Sequence, residues 1–319
     1  MFDLVRDDLG RVEAELAIQN GSAIEPVSEI TSYLMGGGGK RLRPALLLLA
    51  AGYAGYNGPS AIKLGAVVEL IHSATLIHDD VIDGADTRRG RPSANSRWGN
   101  HRSVLAGDWL YMQSFQMALG ERNFKVLDIL IELTQNMVEG ELLQLSKLGR
   151  MDLGPDDALE LAARKTACLF SGCARLGAVL GQLDDDGEQA LAEYGRCAGL
   201  AFQMVDDLLD FTASPERLGK PVLSDLKEGK VTLPLIFAMD NGHSEGRRLV
   251  AKVLEEGGFT SVRPEEITAL VRDSGALDRA RQLAGDYAAR AKACLNGSAH
   301  GDFGRALRAV PDFILDRDN

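Results

Sequence analysis

Residues 64–83 decide the fold, and they read LGAVVELIHSATLIHDDVID. Apolar side chains surround nearly the whole stretch, which is typical of a helix buried at the centre of a bundle. Its last turns carry the carboxylates of Asp79, Asp80 and Asp83. Ionised carboxylates are costly on a buried helix unless positive charge compensates for them. The stretch therefore predicts both the core of the fold and a functional site at its end.

The rest of the chain shows the same helical periodicity, and the alternation expected of β-strands is almost absent. Pro44 precedes the apolar run 45–51 and predicts the first turn of a helix. Further helical stretches are 103–119, 124–148, 155–180, 188–211 and 232–239. No linker or repeat interrupts them. We therefore predict an all-α fold, with residues 1–319 forming a single-domain bundle of long helices.

The composition argues against several classes of protein. The 319-residue chain has a net charge of −11, which disfavours a general nucleic-acid-binding surface. The four cysteines form no Cys-x-x-Cys pair, as expected for reduced thiols in the cytoplasm. The first eight residues carry three aspartates and no apolar core, so no signal peptide is predicted. The apolar run 45–51 is far shorter than the roughly 20 residues of a membrane span. We expect a soluble cytoplasmic protein without a transmembrane segment.

Adjacent acidic residues occur in two different settings. Asp156-Asp157 follows Gly-Pro, and the run 184–186 lies in a turn before Gly187. At such helix starts, carboxylates accept hydrogen bonds from free amides and interact favourably with the helix dipole. We interpret both of these acidic runs as caps.

Two other acidic clusters are surrounded by apolar residues, namely 79–83 (DDVID) and 206–210 (DDLLD). In each, the outer aspartates are four residues apart and lie on one helical face. Hard oxygen ligands in this arrangement suit magnesium, which takes a few carboxylates together with water and substrate phosphates. The predicted metal ligands are Asp79, Asp80, Asp83, Asp206, Asp207 and Asp210.

Three cationic segments accompany these clusters. Residues 36–44 read GGGGKRLRP, residues 87–92 read TRRGRP, and residues 219–230 read GKPVLSDLKEGK. Glycines allow backbone amides to approach a phosphate, and a following helix start adds a favourable dipole. The first segment is not a Walker loop, because Arg41 stands where that motif has Ser or Thr. Carboxylates, magnesium and cations together predict a bound diphosphate.

With these motifs the chain resembles the trans-isoprenyl diphosphate synthases, such as the polyprenyl and farnesyl diphosphate synthases. The resemblance covers residues 36–234 and includes the Gly-Lys-x-x-Arg loop, both Asp-Asp-x-x-Asp clusters, Arg-Arg-Gly after the first, Phe-Gln before the second, and GKVTLP at 229–234. It implies the isoprenoid synthase fold around a central cavity, a homodimer, and about three magnesium ions per active site. It also implies condensation of isopentenyl diphosphate onto an allylic diphosphate primer.

The resemblance also assigns roles to individual residues. Isopentenyl diphosphate would be bound by Lys40, Arg43, His72 and Arg89. The allylic diphosphate would be held through magnesium by Asp79, Asp83 and Asp206, and directly by Arg88, Lys165 and Lys220. Further substrate-binding residues are Thr166, Gln203 and Lys230. The predicted catalytic set is Asp79, Asp83, Asp206, Lys165 and Lys220. Leu223 departs from the family, which often has glycine there, and this puts the backbone path between Lys220 and Asp225 in question.

Product length is predicted from the residues before Asp79. Ser73, Ala74 and Thr75 are small where short-chain relatives carry a bulky aromatic residue, so a water-excluding tunnel would continue past them to a product of about C30–C50. Phe115, Met117 and Met137 are candidates for a deeper floor.

Three alternatives stay open: a short-chain (farnesyl or geranylgeranyl) diphosphate synthase, a class I terpene cyclase, and a non-catalytic subunit of a heteromeric synthase. The four residues of the isopentenyl diphosphate set disfavour the cyclase. The six aspartates disfavour the non-catalytic subunit.

Overall fold

Helices form nearly all the regular structure of the computed structural model, which describes residues 2–19, 24–37, 39–213, 222–240, 244–295 and 301–318. In chain order they are α1 (Arg6–Gln19), α2 (Glu25–Met35), α3 (Leu42–Tyr53), α4 (Pro59–Ile82), α5 (Ala94–Trp98), α6 (Asn100–Gly120), α7 (Phe124–Lys147), α8 (Pro155–Ala162), α9 (Cys168–Leu180), α10 (Asp185–Thr212), α11 (Ser224–Lys227), α12 (Leu233–Asp240), α13 (Ser244–Glu256), α14 (Pro264–Asp273), α15 (Ala276–Cys294) and α16 (Asp302–Leu315).

Shorter elements join these helices. The turns Phe2–Val5 and Asp316–Asp318 are 3₁₀-helical, and Ala163–Ala167 is a π-helical turn between α8 and α9. One antiparallel ladder pairs β1 (Thr87–Arg88) with β2 (Arg91–Pro92). The prediction of an all-α fold is confirmed.

The chain divides into two compact units built from interleaved segments. The first comprises Met1–Thr134, Leu169–Gly195 and Ala293–Val310, and the second comprises Gln135–Cys168, Arg196–Lys292 and Pro311–Asn319. All five boundaries fall inside helices, namely α7, α9, α10, α15 and α16. A single domain over residues 1–319 stays a prediction.

Helix α4 is the core of the first unit, where it packs along α6, α3 and α1. Leu64, Val67, Leu70 and Ile77 are fully buried, as expected for a helix that is apolar all round. By length and composition α4 could cross a membrane, but 67% of its apolar window is buried inside the protein. Such burial is typical of the core helix of a folded protein.

In the second unit, α12 packs against α8, α13 and α14. Its residues Leu235, Phe237 and Ala238 are almost fully buried. The acidic part of α10 belongs to this unit, as do the π-helical turn and the 3₁₀ turn Asp316–Asp318.

Candidate active site

The first aspartate cluster lies where α4 ends, at Asp79 to Asp83. Asp79 and Asp83 are partly exposed, whereas Asp80 is only 1% exposed. The Arg88 guanidinium donates from Nε to Asp80 Oδ1 over 2.8 Å and from Nη2 to the same oxygen. Burial raises the pKa of the Asp80 carboxyl, and the neighbouring Arg88 charge offsets part of that shift. Asp80 therefore holds Arg88 in place beside the two outer carboxylates.

A tight hairpin presents the two arginines that follow the cluster. The pairing of Thr87 with Pro92 and of Arg88 with Arg91 leaves a two-residue turn, Arg89-Gly90. Both turn residues have positive φ, 53° and 72°, as a type I′ turn requires. Glycine adopts this conformation readily and arginine does not. The turn fixes the backbone positions from which the side chains of Arg88 and Arg89 extend.

The glycine-rich loop reaches the same place from the other side. A Cβ at Gly39 would lie 3.1 Å from an Arg89 guanidinium nitrogen, so the backbone next to Lys40 approaches Arg89 closely. Arg41 has φ 46°, and its Nη1 donates to Glu69 on α4 over 2.6 Å. A second carboxylate, that of Glu13, also accepts from Arg41. Arg41 thus fixes the loop from which Lys40 and Arg43 extend.

Arg43 and His72 are in direct contact. Arg43 Nη1 lies 3.1 Å from His72 Nε2, and its guanidinium lies 5.2 Å from the centre of the Phe170 ring. Burial lowers the pKa of His72 well below its usual range, and the Arg43 and Arg89 charges lower it further. The ring is therefore neutral near pH 7, so Nε2 accepts the hydrogen bond from Arg43.

The second aspartate cluster lies on α10. Gln203 Nε2 donates to Asp207 Oδ1 over 2.9 Å, and Thr166 Oγ1 donates to Gln203 Oε1 over 2.6 Å. Burial raises the pKa of the Asp207 carboxyl well above its usual range, and the nearby Asp225 carboxylate adds to the shift. This chain of hydrogen bonds links the π-helical turn to the cluster.

Asp210, 1% exposed, accepts from the backbone amides of Ser224 and Asp225, each over 3.3 Å. Leu223 precedes them with φ 57°, the conformation that glycine favours, and its own amide donates to the Asp210 carbonyl oxygen over 3.0 Å. The left-handed backbone of a non-glycine residue costs about 1–2 kcal/mol, and complete burial of the leucine side chain offsets this cost. Asp225 therefore keeps its place beside the cluster, while Lys220 lies outside the described residues.

Two predicted lysines of the second unit, Lys165 and Lys230, form ion pairs. Lys165, in the π-helical turn, lies 2.5 Å from Glu141 Oε2 and 3.4 Å from Gln144 Oε1. π-helical turns occur frequently at functional sites. Lys230 lies 2.7 Å from Glu228.

The two acidic runs interpreted as caps do cap helices. Asp157 Oδ2 accepts from the Gly154 amide over 2.8 Å, and Asp184 Oδ1 accepts from the Gly187 amide over 2.9 Å. That interpretation is confirmed.

Sequence reasoning missed Arg317. It lies 111 positions after Asp206 in the chain, yet its Nη2 is 3.0 Å from Asp206 Oδ1 and its guanidinium is 4.4 Å from the centre of the Phe202 ring. A single arginine in an acidic C-terminal stretch carries no periodicity or motif that would have revealed this contact.

The donor chemistry fits magnesium. Within the residues that the structure describes, no three His, Cys, Asp or Glu side chains form a ready-made metal cluster. Magnesium is usually held by one or two carboxylates together with water and substrate phosphates, so it needs no such cluster. Asp79, Asp83 and Asp206 are partly exposed and offer hard carboxylate oxygens. Asp80 and Asp210 are buried. Asp80 accepts hydrogen bonds from Arg88, and Asp210 accepts from backbone amides. That all six aspartates are metal ligands stays a prediction. These contacts favour Asp79, Asp83 and Asp206, because Asp207, which is also partly exposed, accepts a hydrogen bond from Gln203.

Comparison with known proteins gives consistent matches. The polyprenyl synthetase family matches residues 24–271. The octaprenyl diphosphate synthase of Escherichia coli (strain K12) is 37% identical over 316 residues, which cover 99% of this chain and 98% of that protein. The geranylgeranyl diphosphate synthase of Methanosarcina mazei is 36% identical over 299 residues, covering 92% and 90%. A crystal structure of a Caulobacter crescentus CB15 polyprenyl synthase, complexed with calcium and isoprenyl diphosphate, matches with a TM-score of 0.95 and 36% identity, covering 100% and 97%.

Proposed function

Because the chain belongs to the polyprenyl synthetase family, we propose that it is a trans-prenyltransferase that condenses isopentenyl diphosphate with an allylic diphosphate to make a long-chain polyprenyl diphosphate. One observation carries the proposal. Arg88 contacts the buried Asp80, whose neighbours Asp79 and Asp83 are partly exposed. The charges of Arg88 and Arg89 lower the pKa of His72, which is in contact with Arg43. This combination of carboxylates and cations suits a metal diphosphate next to a second diphosphate.

Arg43 and Arg89, with Lys40 on the adjoining loop, are proposed to bind isopentenyl diphosphate. Guanidinium groups suit this ligand because they donate paired hydrogen bonds to phosphate oxygens. His72 stays neutral and orients Arg43 through the 3.1 Å contact. Arg88, Lys165 and Lys220 are proposed to contact the allylic diphosphate.

Asp79, Asp83 and Asp206 are proposed to hold the magnesium ions. When bound, magnesium stabilises the negative charge of the departing diphosphate. The other three aspartates are proposed to act through their hydrogen-bond partners. Asp80 holds Arg88, and Asp207 holds Gln203. Asp210 holds the backbone of Ser224 and Asp225.

The reaction needs a charged leaving group and a dry cavity. Arg88 and Lys165 would stabilise the diphosphate as the allylic carbon–oxygen bond breaks, which lowers the barrier because this charge develops in the transition state. The double bond of isopentenyl diphosphate then attacks the allylic cation, and the released diphosphate accepts the departing proton. Thr166 and Gln203 are proposed to line the path of the allylic chain, from which water must be excluded.

Long products are proposed from the small residues before Asp79. Ala74 is fully buried and Thr75 is partly exposed, and neither blocks a chain as an aromatic ring would. An Ala74→Phe enzyme should release shorter products while still consuming primer. A folded variant that makes the parental length would place the floor elsewhere, for example at Phe115 on α6. Because overpacking costs about 1–3 kcal/mol, thermal unfolding must be measured alongside.

A homodimer is proposed from exposed apolar residues on α6 and α7. They recur at seven-residue spacing, which is the repeat of a helix-packing seam: Leu105, Met112 and Leu119 on α6, and Phe124, Ile131, Val138 and Leu145 on α7. Leu105 is 67% exposed and Phe124 is 80% exposed. A second copy presents the same two stripes, so a two-fold axis would pair them.

The oligomeric state tests this proposal. Leu105→Glu combined with Phe124→Glu should shift the mass measured by light scattering from dimer to monomer. Ile18→Glu is the matched control, because Ile18 is 70% exposed on α1 and lies outside both stripes. A double variant that stays dimeric would contradict the proposed interface.

A cytoplasmic location is also proposed, supported by the reduced cysteines and the buried setting of α4.

Incubation of the protein with farnesyl diphosphate, labelled isopentenyl diphosphate and magnesium tests the proposed function. Chromatography of the dephosphorylated products should show chains of about six or more isoprene units, as a deep apolar tunnel would allow. Cyclised hydrocarbons, or no incorporation of label, would contradict it.

A further inference from the structure

Arg317 occupies a defined position against the second aspartate cluster. It lies in the 3₁₀ turn Asp316–Asp318, directly after α16, and its side chain is 22% exposed. The preceding Ile314 is fully buried and anchors the end of the helix. A long surface arginine would ordinarily lose several rotamers to hold one geometry, so fixed contacts are needed to keep it there.

Contacts with Asp206 and Phe202 hold the guanidinium in place. Nη2 lies 3.0 Å from Asp206 Oδ1, and the group stacks 4.4 Å from the centre of the Phe202 ring. Phe202 and Asp206 are four residues apart and share one face of α10. An arginine suits this pair of contacts better than a lysine, because its planar group stacks and pairs at the same time.

The ion pair involves a carboxylate that is also a proposed magnesium ligand. The same part of α10 carries Asp207 and Asp210, and Asp225 lies near Asp207. In the absence of metal these carboxylates repel one another, and the cation at Asp206 relieves that repulsion. A positive charge at this distance also repels a second cation that approaches the same oxygen atoms.

We propose that Arg317 is a displaceable counter-ion of Asp206. It neutralises this carboxylate while the metal is absent, and it moves from the carboxylate to the diphosphate when the metal diphosphate binds. Arg317 thus couples metal binding to diphosphate binding. The inference rests on the proposed function, since it takes Asp206 as a metal ligand.

If the Arg317–Asp206 salt bridge were purely structural, loss of Arg317 would change metal affinity in the opposite direction. Loss of a structural arginine would loosen α10 and weaken any metal site on it. Loss of a displaceable counter-ion instead removes a competitor and strengthens metal binding. The direction of the change in metal affinity therefore separates the two roles.

The experiment is a titration of the full-length protein with Mn²⁺ alone, in which electron paramagnetic resonance measures the bound Mn²⁺. Arg317→Gln should bind Mn²⁺ about tenfold more tightly than the parent, because a neighbouring positive charge is removed. Its KM for the allylic diphosphate should rise by about tenfold, because a paired donor to the diphosphate is lost. Arg317→Lys should stay close to the parent in Mn²⁺ affinity.

Arg305→Gln is the matched control. It removes one positive charge from α16, the helix that precedes the turn of Arg317. Arg305 forms an exposed ion pair with Asp302 there, and its substitution should leave both values unchanged. If Arg317→Gln folds poorly, Phe202→Leu gives a second test, because loss of the stacking contact should also strengthen Mn²⁺ binding. An Mn²⁺ affinity that is equal to or weaker than that of the parent, in the variant that folds, would overturn the proposal.

A wrong role for Arg317 and a wrong proposed function would give different results. If the parent protein transfers prenyl groups with magnesium and Arg317→Gln binds Mn²⁺ no more tightly, only the role of Arg317 is wrong. If the parent neither binds Mn²⁺ nor transfers prenyl groups, the proposed function is wrong, and the inference fails with it.

Discussion

The two aspartate clusters have the same spacing but differ in the groups that bind their carboxylates. On α4, the buried Asp80 is held by a cation, Arg88. On α10, Asp207 and Asp210 are held by neutral donors, namely the Gln203 amide and two backbone amides. The outer positions differ as well, since Asp206 bears the Arg317 ion pair.

The same sequence motif can therefore place its carboxylates beside a cation in one helix and beside neutral donors in another. A neighbouring guanidinium lowers the pKa of a carboxyl group and so favours its ionised form. Burial among other carboxylates raises the pKa and favours the protonated form. The pKa of Asp80 is raised by burial and partly restored by Arg88. The pKa of Asp207 is raised well above its usual range, with like charges adding to burial. The clusters should therefore respond differently to the same substitution.

The outer aspartates should show the largest effect. Asp79→Ala and Asp206→Ala should each lower kcat by about 10³-fold or more, because both remove stabilisation of charge that develops in the transition state. Steady-state kinetics with saturating substrates measures this. Asp156→Ala is the control, since Asp156 belongs to an acidic pair at a helix start and should leave kcat unchanged. A loss at one cluster alone would mean that only that cluster holds the metal.

Arg43→Ala should show the next largest effect. Its KM for isopentenyl diphosphate should rise by about 10²-fold, while the KM for the allylic primer changes little, because only the first diphosphate loses a charged donor. Equal rises for both substrates would contradict the assignment of separate diphosphate sites.

Isosteric substitution of the inner carboxylates compares the clusters directly. In the metal-free protein, Asp80→Asn should lower the free energy of unfolding by about 2 kcal/mol, because Arg88 loses its partner in a partly buried ion pair. Asp207→Asn should cost far less at neutral pH, because an amide resembles the protonated acid that burial favours. Urea denaturation followed by circular dichroism measures both values.

The pH dependence gives the sign of the Asp207 contribution. Its pKa is higher in the folded state than in the unfolded state, so the folded protein binds the proton more tightly. Its contribution to stability is therefore fully present below the unfolded value, about pH 4, and is lost as the pH rises through the folded pKa. Relative to the parent, Asp207→Asn should gain stability as the pH increases. A difference that stays constant with pH would mean that burial does not perturb this carboxyl.

His72→Gln should show the smallest effect. A glutamine oxygen can accept from Arg43 as the neutral imidazole does, so KM for isopentenyl diphosphate should change by about threefold or less, compared with about 10²-fold for Arg43→Ala. The pKa of His72 is lowered in the folded state, so the parent loses stability as the pH falls below about 6.5, and the glutamine variant should lose less. Parallel unfolding curves for the two proteins from pH 7 to pH 5 would contradict a buried neutral histidine.

The sequence predicts the helices and motifs because both leave local signals. The apolar run from Leu64 to Ile77 shows its burial in its own composition, and the outer aspartates show their common face in their spacing. Contacts between distant segments leave no such signal. The Arg317–Asp206 pair and the anchoring of Arg41 by Glu13 and Glu69 depend on how helices pack.

Backbone conformation is also poorly predicted from residue type. Leu223 adopts the positive φ expected of glycine, since the surrounding contacts and its burial outweigh the local strain. Arg89 does the same within a two-residue turn. In both places tertiary structure overrides local preference, beside the residues proposed to bind the diphosphates.

Removal of the metal tests the central claim most directly, because both clusters are proposed to act through magnesium. Excess EDTA should abolish the condensation of isopentenyl diphosphate with farnesyl diphosphate, the circular dichroism spectrum should stay unchanged, and added magnesium should restore turnover. Full turnover in excess EDTA would contradict the account, because the exposed aspartates would then be ordinary surface carboxylates rather than metal ligands.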